Sequence, residues 1–320
     1  MQQRTLGSQG LTVSAIGYGA MGITSFYGES DTDQGIAAIR RAYDEGITLF
    51  DTAELYGWGE GERVLGRAIR GFRDEVVIAS KFGFTPRMGC DSSPDNIRRV
   101  IDNSLRHLGV DHIDLMYQHR VDPNVPIEDV AGTVKEAIEA GKVKYFGLCE
   151  AGPNTLRRAH AVQPVSALQT EYSMFVRDVE ALFPTLAELG IGLVAYSPLA
   201  RGFLSGAVQQ PGEYGAGDLR GAEAFPWWAP DNFPRNENIA SLLAGVAGAR
   251  GATLPQLALA WLLTRRDDVV PIPGTRNPDR VSENVYALNL RLDEEDLALI
   301  EDVIRDGPYG ERNTEGVVWD

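Results

Sequence analysis

The chain has 320 residues, with 45 acidic against 30 basic side chains and a formal net charge of −15. A phosphate backbone or an anionic bilayer recruits clustered Lys and Arg, so this balance argues against nucleic acid and membrane partners, though not against a small anionic ligand that senses only a local field. Two cysteines, Cys90 and Cys149, exclude a disulfide scaffold, no signal-like apolar stretch opens the sequence, and no run approaches the ~20 residues of a membrane span; a soluble, cytoplasmic protein is expected.

In chain order, short Val/Ile/Leu/Phe-rich runs recur at 13–19, 46–51, 75–81, 112–119, 142–150, 165–171, 192–197 and 268–274. Such near-continuous apolar runs are the pattern of parallel strands buried on both faces. The residues ahead of Val13 are expected to pair with Arg4–Leu6 in a small hairpin. Amphipathic stretches lie between the runs. One covers 34–45, with Ile36, Ile39 and Tyr43 on one face and Gly46 after it. Another spans 94–108 behind Ser93-Pro94, with Ile97, Val100, Ile101, Leu105 and Leu108 as its stripe. A third covers 126–140, with Pro126 at its first helical position and Gly141 at its end. Residues 205–235 are Gly- and Pro-rich without periodicity, which predicts a lid or binding loop. The terminal 307–320 is expected to pack on the surface or fray.

Eight strands alternating with helices predict an α/β (β/α)8 TIM barrel, with residues 1–320 as one domain, the hairpin capping one end and the long loop over the other. Gly17-Tyr18-Gly19-Ala20-Met21-Gly22 matches G-x-G-x-x-G, yet a loop rather than a helix follows, so a doubly wound dinucleotide fold is set aside. Polar residues collect where the strands end: Asp51, Lys81, His119, Glu150, Gln169 and Glu171, Tyr196 and Ser197. In a parallel barrel those ends meet on one face, where the active sites of this architecture sit. Taken singly, Asp51 and Tyr56 read as a helix cap and a surface tyrosine, and Lys81 as a solvated lysine; only their convergence points to chemistry. A metal site is not indicated, because His107, His112, His119 and His160 show no ligand spacing. Nor is Ser197 set in the G-x-S-x-G turn of a hydrolase.

The segment Phe50-Asp51-Thr52-Ala53-Glu54-Leu55-Tyr56-Gly57 resembles the aldo-keto reductase signature, and Lys81 and His119 fall where that family keeps its lysine and histidine. The resemblance runs from about residue 4 to 305 and is strongest to the microbial and plant branch carrying the Gln118–Pro123 segment, whose members reduce assorted aldehydes and ketones. It implies an NADP(H)-dependent reductase of small carbonyl compounds, with Tyr56 as acid/base, Asp51 and Lys81 tuning it and His119 orienting the substrate. The residues alone suggest the same division of labour, because an ammonium beside a tyrosine lowers its pKa and a carboxylate keeps that ammonium charged. The family also implies cofactor contacts from Gly19, Ala20, Met21, Asp51, Cys149, Glu150, Gln169, Tyr196, Ser197, Pro198, Leu199, Arg201, Gly202, Gly274, Thr275, Arg276, Arg280, Glu283 and Asn284. In this pattern Tyr196 stacks on the nicotinamide, Gln169 with Cys149 and Glu150 holds its carboxamide, and Arg276 and Arg280 share one face of a helix start toward a phosphate. Two residues depart from the family: Cys149 stands where serine is commoner, and Gly274 where some branches have lysine.

Tyr27, Trp58, Phe82, Phe84, Met88, Phe225, Trp227 and Trp228 fall in loops expected over the site, which suits aromatic or aliphatic carbonyls, although any of them could equally pack in the core. The rival reading is a cofactor-binding, redox-sensing regulatory subunit on the same fold. Natural substrate, reaction direction and the choice between monomer and homo-oligomer stay open.

Overall fold

A computed structural model describes residues 1–215, 217–221, 225–312 and 319. An antiparallel hairpin, β1 (Gln3–Leu6) and β2 (Leu11–Ser14), precedes eight parallel strands. These are β3 (Tyr18–Gly19), β4 (Leu49–Asp51), β5 (Val77–Phe82), β6 (Ile113–Gln118), β7 (Val143–Cys149), β8 (Val165–Glu171), β9 (Gly192–Tyr196) and β10 (Val269–Pro271). They pair in sequence order from β3 to β10. The Gly17 N–H donates to the Pro271 carbonyl at 2.9 Å and Gly19 N–H to the Pro273 carbonyl at 3.3 Å, which brings the two edges together. A Cβ on Gly17 would stand 2.8 Å from the Ile272 side chain, and one on Gly19 would stand 2.7 Å from the Ile272 carbonyl. The Gly-x-Gly pair that imitates a dinucleotide fingerprint therefore serves the barrel seam, where only glycine lets the backbones approach.

The run predicted at 13–19 is divided in the structure. Its first residues finish the hairpin and its last two begin the barrel, with Ala15–Gly17 turning between them. The hairpin buries Leu6, Leu11 and Val13 against Leu49, Leu115, Val194 and Val270, filling one end of the barrel. Arg4 fastens it by donating to the carbonyls of Leu263, Arg266 and Val269.

Among the described residues, ten α-helices accompany the strands: α1 (Thr32–Asp44), α2 (Glu60–Ala68), α3 (Pro94–Leu108), α4 (Ile127–Glu139), α5 (Pro153–Val162), α6 (Phe183–Leu189), α7 (Phe233–Ala249), α8 (Leu254–Arg265), α9 (Pro278–Tyr286) and α10 (Glu294–Ile304). The side chain of Asp31 caps α1, starting it two residues before the predicted position. Pro126 precedes α4 as its N-cap rather than opening it. The last residues of the loop expected at 205–235 belong to α7.

Strand alternation places the site. Side chains two apart share a face, so Leu49 and Asp51, Ala79 and Lys81, and Ala167 and Gln169 all turn into the barrel. Phe50, Ile78 and Leu168 turn outward onto the helices. The interior is thus apolar from the hairpin upward and ends in a polar layer at the C-terminal strand ends. Among the described residues, no helix is long and apolar enough to cross a membrane.

Candidate active site

The polar layer forms the floor of a cavity of about 1050 Å³, at the upper end of the ~300–1,000 Å³ usual for small-molecule pockets. Lys81, buried just beneath the floor, donates from Nζ to Asp51 Oδ1, to the Thr52 carbonyl at 2.8 Å and to the Tyr56 hydroxyl at 3.3 Å. The Gln169 amide donates to the other Asp51 oxygen at 2.7 Å, so both oxygens of this carboxylate are engaged. Burial alone would pull the Lys81 ammonium down, but Asp51 and Tyr56 outweigh it and hold the group above its ordinary value.

Tyr56 differs from the expectation. Burial raises its hydroxyl pKa more than Lys81 lowers it, so in the cofactor-free chain the phenol is held above the ordinary tyrosine value. His119, which follows β6, lies with its ring centroid 6.1 Å from that of Tyr56 and 4.8 Å from that of Phe84. Burial, then Lys81 and Arg120, push its pKa well below 6.5, so the imidazole is neutral near pH 7.

Of the other candidates, Gly19, Met21, Tyr196, Ser197, Pro198, Leu199, Arg201, Gly202, Gly274, Thr275, Arg276, Arg280, Glu283 and Asn284 line the cavity with Asp51, Tyr56, His119 and Gln169. Ala20, Cys149 and Glu150 do not. Ala20 is packed in the core. Cys149 faces the barrel interior, its thiol pushed up to about 12 by burial and therefore neutral. Glu150 adopts a left-handed backbone (φ 51°) and turns its buried carboxylate to the Glu171 N–H at 2.9 Å, the Tyr196 hydroxyl at 2.7 Å and the Arg312 guanidinium at 3.0 Å. That contact pins the Tyr196 ring from behind.

Arg276 and Arg280 do not share a helix face. Arg276 precedes the Asn277 N-cap of α9 and donates to the carbonyls of Tyr27 (2.8 Å) and Glu29. Arg280 lies on the exposed first turn with no carboxylate within ion-pair distance among the described residues. The described part of the long loop lies across the cavity: the Leu219 N–H donates to the Phe26 carbonyl at 3.1 Å, and Arg220 stacks over the rings of Tyr27 and Tyr214. Residues 216 and 222–224 of that loop, and most of 313–320, lie outside the described residues. Tyr27, Phe84, Met88 and Phe225 line the cavity; Phe82, Trp227 and Trp228 are core residues, and Trp58 is exposed away from it.

Sequence reasoning missed Phe26, Gln34, Arg120, Leu219 and Arg220 as cavity residues. Gln34 reaches it from the first turn of α1 and the others through loop conformation, which no periodicity reports. Arg120 left a signal inside the quoted Gln118–Pro123 segment, and Leu219 and Arg220 fall within the 205–235 stretch expected as a lid or binding loop. The histidines other than His119 are structural: His107 meets buried Glu62 at 2.9 Å, His112 meets Asp111 at 2.7 Å, and His160 accepts the Val165 N–H at 3.1 Å. No group of metal-ligating side chains occurs among the described residues.

A barrel of parallel strands ending in a buried carboxylate–ammonium–phenol chain beside a neutral imidazole defines an enzyme-like site of acid–base character. The profile of the Aldo/keto reductase family matches residues 15–305, and the chain belongs to that family. It is 43% identical over 304 residues to "Probable aldo-keto reductase 1" of Glycine max, covering 93% of this chain and 87% of that protein. Among solved structures it resembles the glycerol dehydrogenase AKR11B4 of Gluconobacter oxydans (TM-score 0.87, 26% identity, 97% of each chain). It also resembles an aldo-keto reductase of Klebsiella pneumoniae in complex with NADPH (TM-score 0.77, 26% identity, 98% of this chain and 99% of that one).

Proposed function

We propose that the protein is an NADP(H)-dependent reductase that converts aldehydes or ketones to alcohols, with residues 1–320 acting as one catalytic unit. The observation that carries this reading is Lys81 bridging Asp51 and the Tyr56 hydroxyl beneath a cavity that His119 also lines.

The residues fit a nicotinamide dinucleotide. Tyr196 presents a ring to the cavity while Glu150 holds its hydroxyl, and Arg280 with Thr275 at the start of α9 offers a cation and donors to a phosphate. When bound, the reduced nicotinamide supplies the hydride. Everything else falls to the chain. Tyr56, with its pKa raised by burial, is protonated at neutral pH and gives its proton to the oxygen of the developing alkoxide. Lys81, 3.3 Å away, stabilises the phenolate that this leaves, and Asp51 keeps Lys81 charged. His119, being neutral, donates one ring N–H to the carbonyl oxygen without adding a second charge beside Lys81.

The test is NADPH oxidation followed at the nicotinamide absorbance with a panel of aldehydes and ketones. Steady turnover is expected. Tight NADPH binding without turnover of any panel member would overturn the proposal in favour of the regulatory reading.

A further inference from the structure

Arg120 follows His119 directly and lines the same cavity. Its guanidinium donates to the His119 carbonyl at 2.7 Å and lies 5.9 Å from the centre of the Phe84 ring, which itself packs on His119. Arg120, Phe84 and His119 therefore make one wall. The carboxylates nearby are all engaged elsewhere. Asp122 accepts the backbone N–H groups of Ser92 and Asn124, Glu150 is held by Arg312 and Tyr196, and Glu171 by Arg201 at 2.9 Å. Among the described residues, no carboxylate stands within ion-pair distance of Arg120. Its acceptors in the protein are the His119 carbonyl and the Tyr196 hydroxyl, and a guanidinium has five N–H donors. A partly buried guanidinium with donors to spare, no carboxylate in ion-pair contact and only the more distant Glu150 charge to favour it offers a local site for an anion from the ligand.

We propose that Arg120 anchors an anionic group of the substrate: the preferred carbonyl compounds carry a carboxylate, held by the Arg120 guanidinium while the carbonyl lies at Tyr56 and His119. This rests on the reductase reading above. The planar fork of arginine matches a carboxylate bidentately, and Phe84 and Phe26 cover the apolar body of the substrate. A chain of net charge −15 does not draw anions in as a whole, so the preference is local to this wall.

The three formylbenzoate isomers and their methyl esters test this, since each pair differs in the charge but not in the ring or the aldehyde. For at least one isomer the wild-type kcat/KM for the acid is expected to exceed that for the ester by about 10- to 100-fold, the worth of a charge-assisted hydrogen bond. The acid-to-ester ratio should fall toward one in Arg120→Met and recover in part in Arg120→Lys, which keeps the charge and loses the fork. Reading the ratio within each variant cancels any general loss from altered packing. Equal or better use of the ester by wild type for every isomer, or a ratio that survives in Arg120→Met, overturns the proposal. Calorimetric titration with the same pairs separates the two readings. If no isomer is reduced, the reductase reading fails, while binding of acid over ester that disappears in Arg120→Met upholds the anchor; no such binding by wild type overturns it.

Discussion

Replacing Asp51 by Asn removes the counter-charge of Lys81 while keeping the shape of the side chain. Lys81 is buried, and its remaining partners are the Thr52 carbonyl and the Tyr56 hydroxyl, neither of which carries a charge. Removing one partner of a buried ion pair costs about 3–5 kcal/mol. Unfolding entropy of roughly 2.1 cal/mol/K per residue, over 320 residues, converts this into a fall in melting temperature of about 4–8 °C at pH 7. The dependence on pH has a definite sign. In the wild type the folded-state pKa of Lys81 is raised, so its contribution is complete below the ordinary lysine value of about 10.4 and is lost only as pH rises through the higher folded value. In Asp51→Asn, burial is no longer outweighed by a carboxylate and depresses that pKa, so the variant is penalised increasingly as pH falls below about 10.4. The gap between the two proteins should therefore be wide at pH 7 and narrower at pH 10, measured by thermal unfolding of both in matched buffers. A gap under about 2 °C at pH 7, or one that does not change between the two pH values, would refute the assignment of Lys81 as a buried ammonium held by Asp51.

Tyr56→Phe keeps the ring but has no proton to give, and is expected to lower kcat by about 10²–10⁴-fold with the NADPH dissociation constant within about threefold of wild type; wild-type turnover would remove Tyr56 from its role. Because His119 is neutral from well below pH 6.5 upward and Tyr56 stays protonated past its ordinary value, kcat for reduction should be flat between pH 6 and 8. An inflection near 6.5 that disappears in His119→Asn would show the imidazole to be titrating there. Arg280→Ala should weaken NADPH binding about tenfold or more and NADH binding little, by removal of one charge-assisted contact to the 2′-phosphate; equal weakening of both cofactors, at fixed salt, would show that Arg280 does not read that phosphate.

Where sequence periodicity corresponded to a packed face, the structure agrees with it. The strand runs are apolar because each is covered by barrel interior on one side and helices on the other, and α3 begins and ends at the predicted residues because Ser93-Pro94 and Gly109 bound a continuous stripe. The polar strand ends were legible for the same reason: Asp51 and Lys81 close runs dominated by apolar residues. The division of 13–19 was not legible, since Val13 and Tyr18 are equally buried although one fills the hairpin and the other the outer core. Helix α8 shows no stripe because Leu254 to Leu262 are buried all round, and the start of α7 is masked by the Gly/Pro-rich loop before it. The net direction of the Tyr56 shift depends on burial against a nearby charge, a balance that sequence does not contain.

The cations around the cavity decide what an acidic protein can bind there. Five arginines line it: Arg120, Arg201, Arg220, Arg276 and Arg280. Arg201 is paired with Glu171 and Arg220 with Asp218, while Arg276 is spent on two loop carbonyls. Arg201 and Arg220 are matched by those carboxylates and offer little charge to a ligand, while Arg276 keeps its charge but has its guanidinium fixed on the loop. Arg120 and Arg280 have no carboxylate within ion-pair distance among the described residues, and they sit on different walls, one beside His119 and the other at the head of α9. An anion bound at either place gains a contact that the rest of the surface, at net charge −15, does not supply. Arg280, exposed on its helix turn, is screened more strongly by salt than the partly buried Arg120. Raising ionic strength should accordingly erode NADPH affinity before it erodes the preference for acid over ester substrates. The reverse order would mean that the two arginines have been assigned to the wrong ligands.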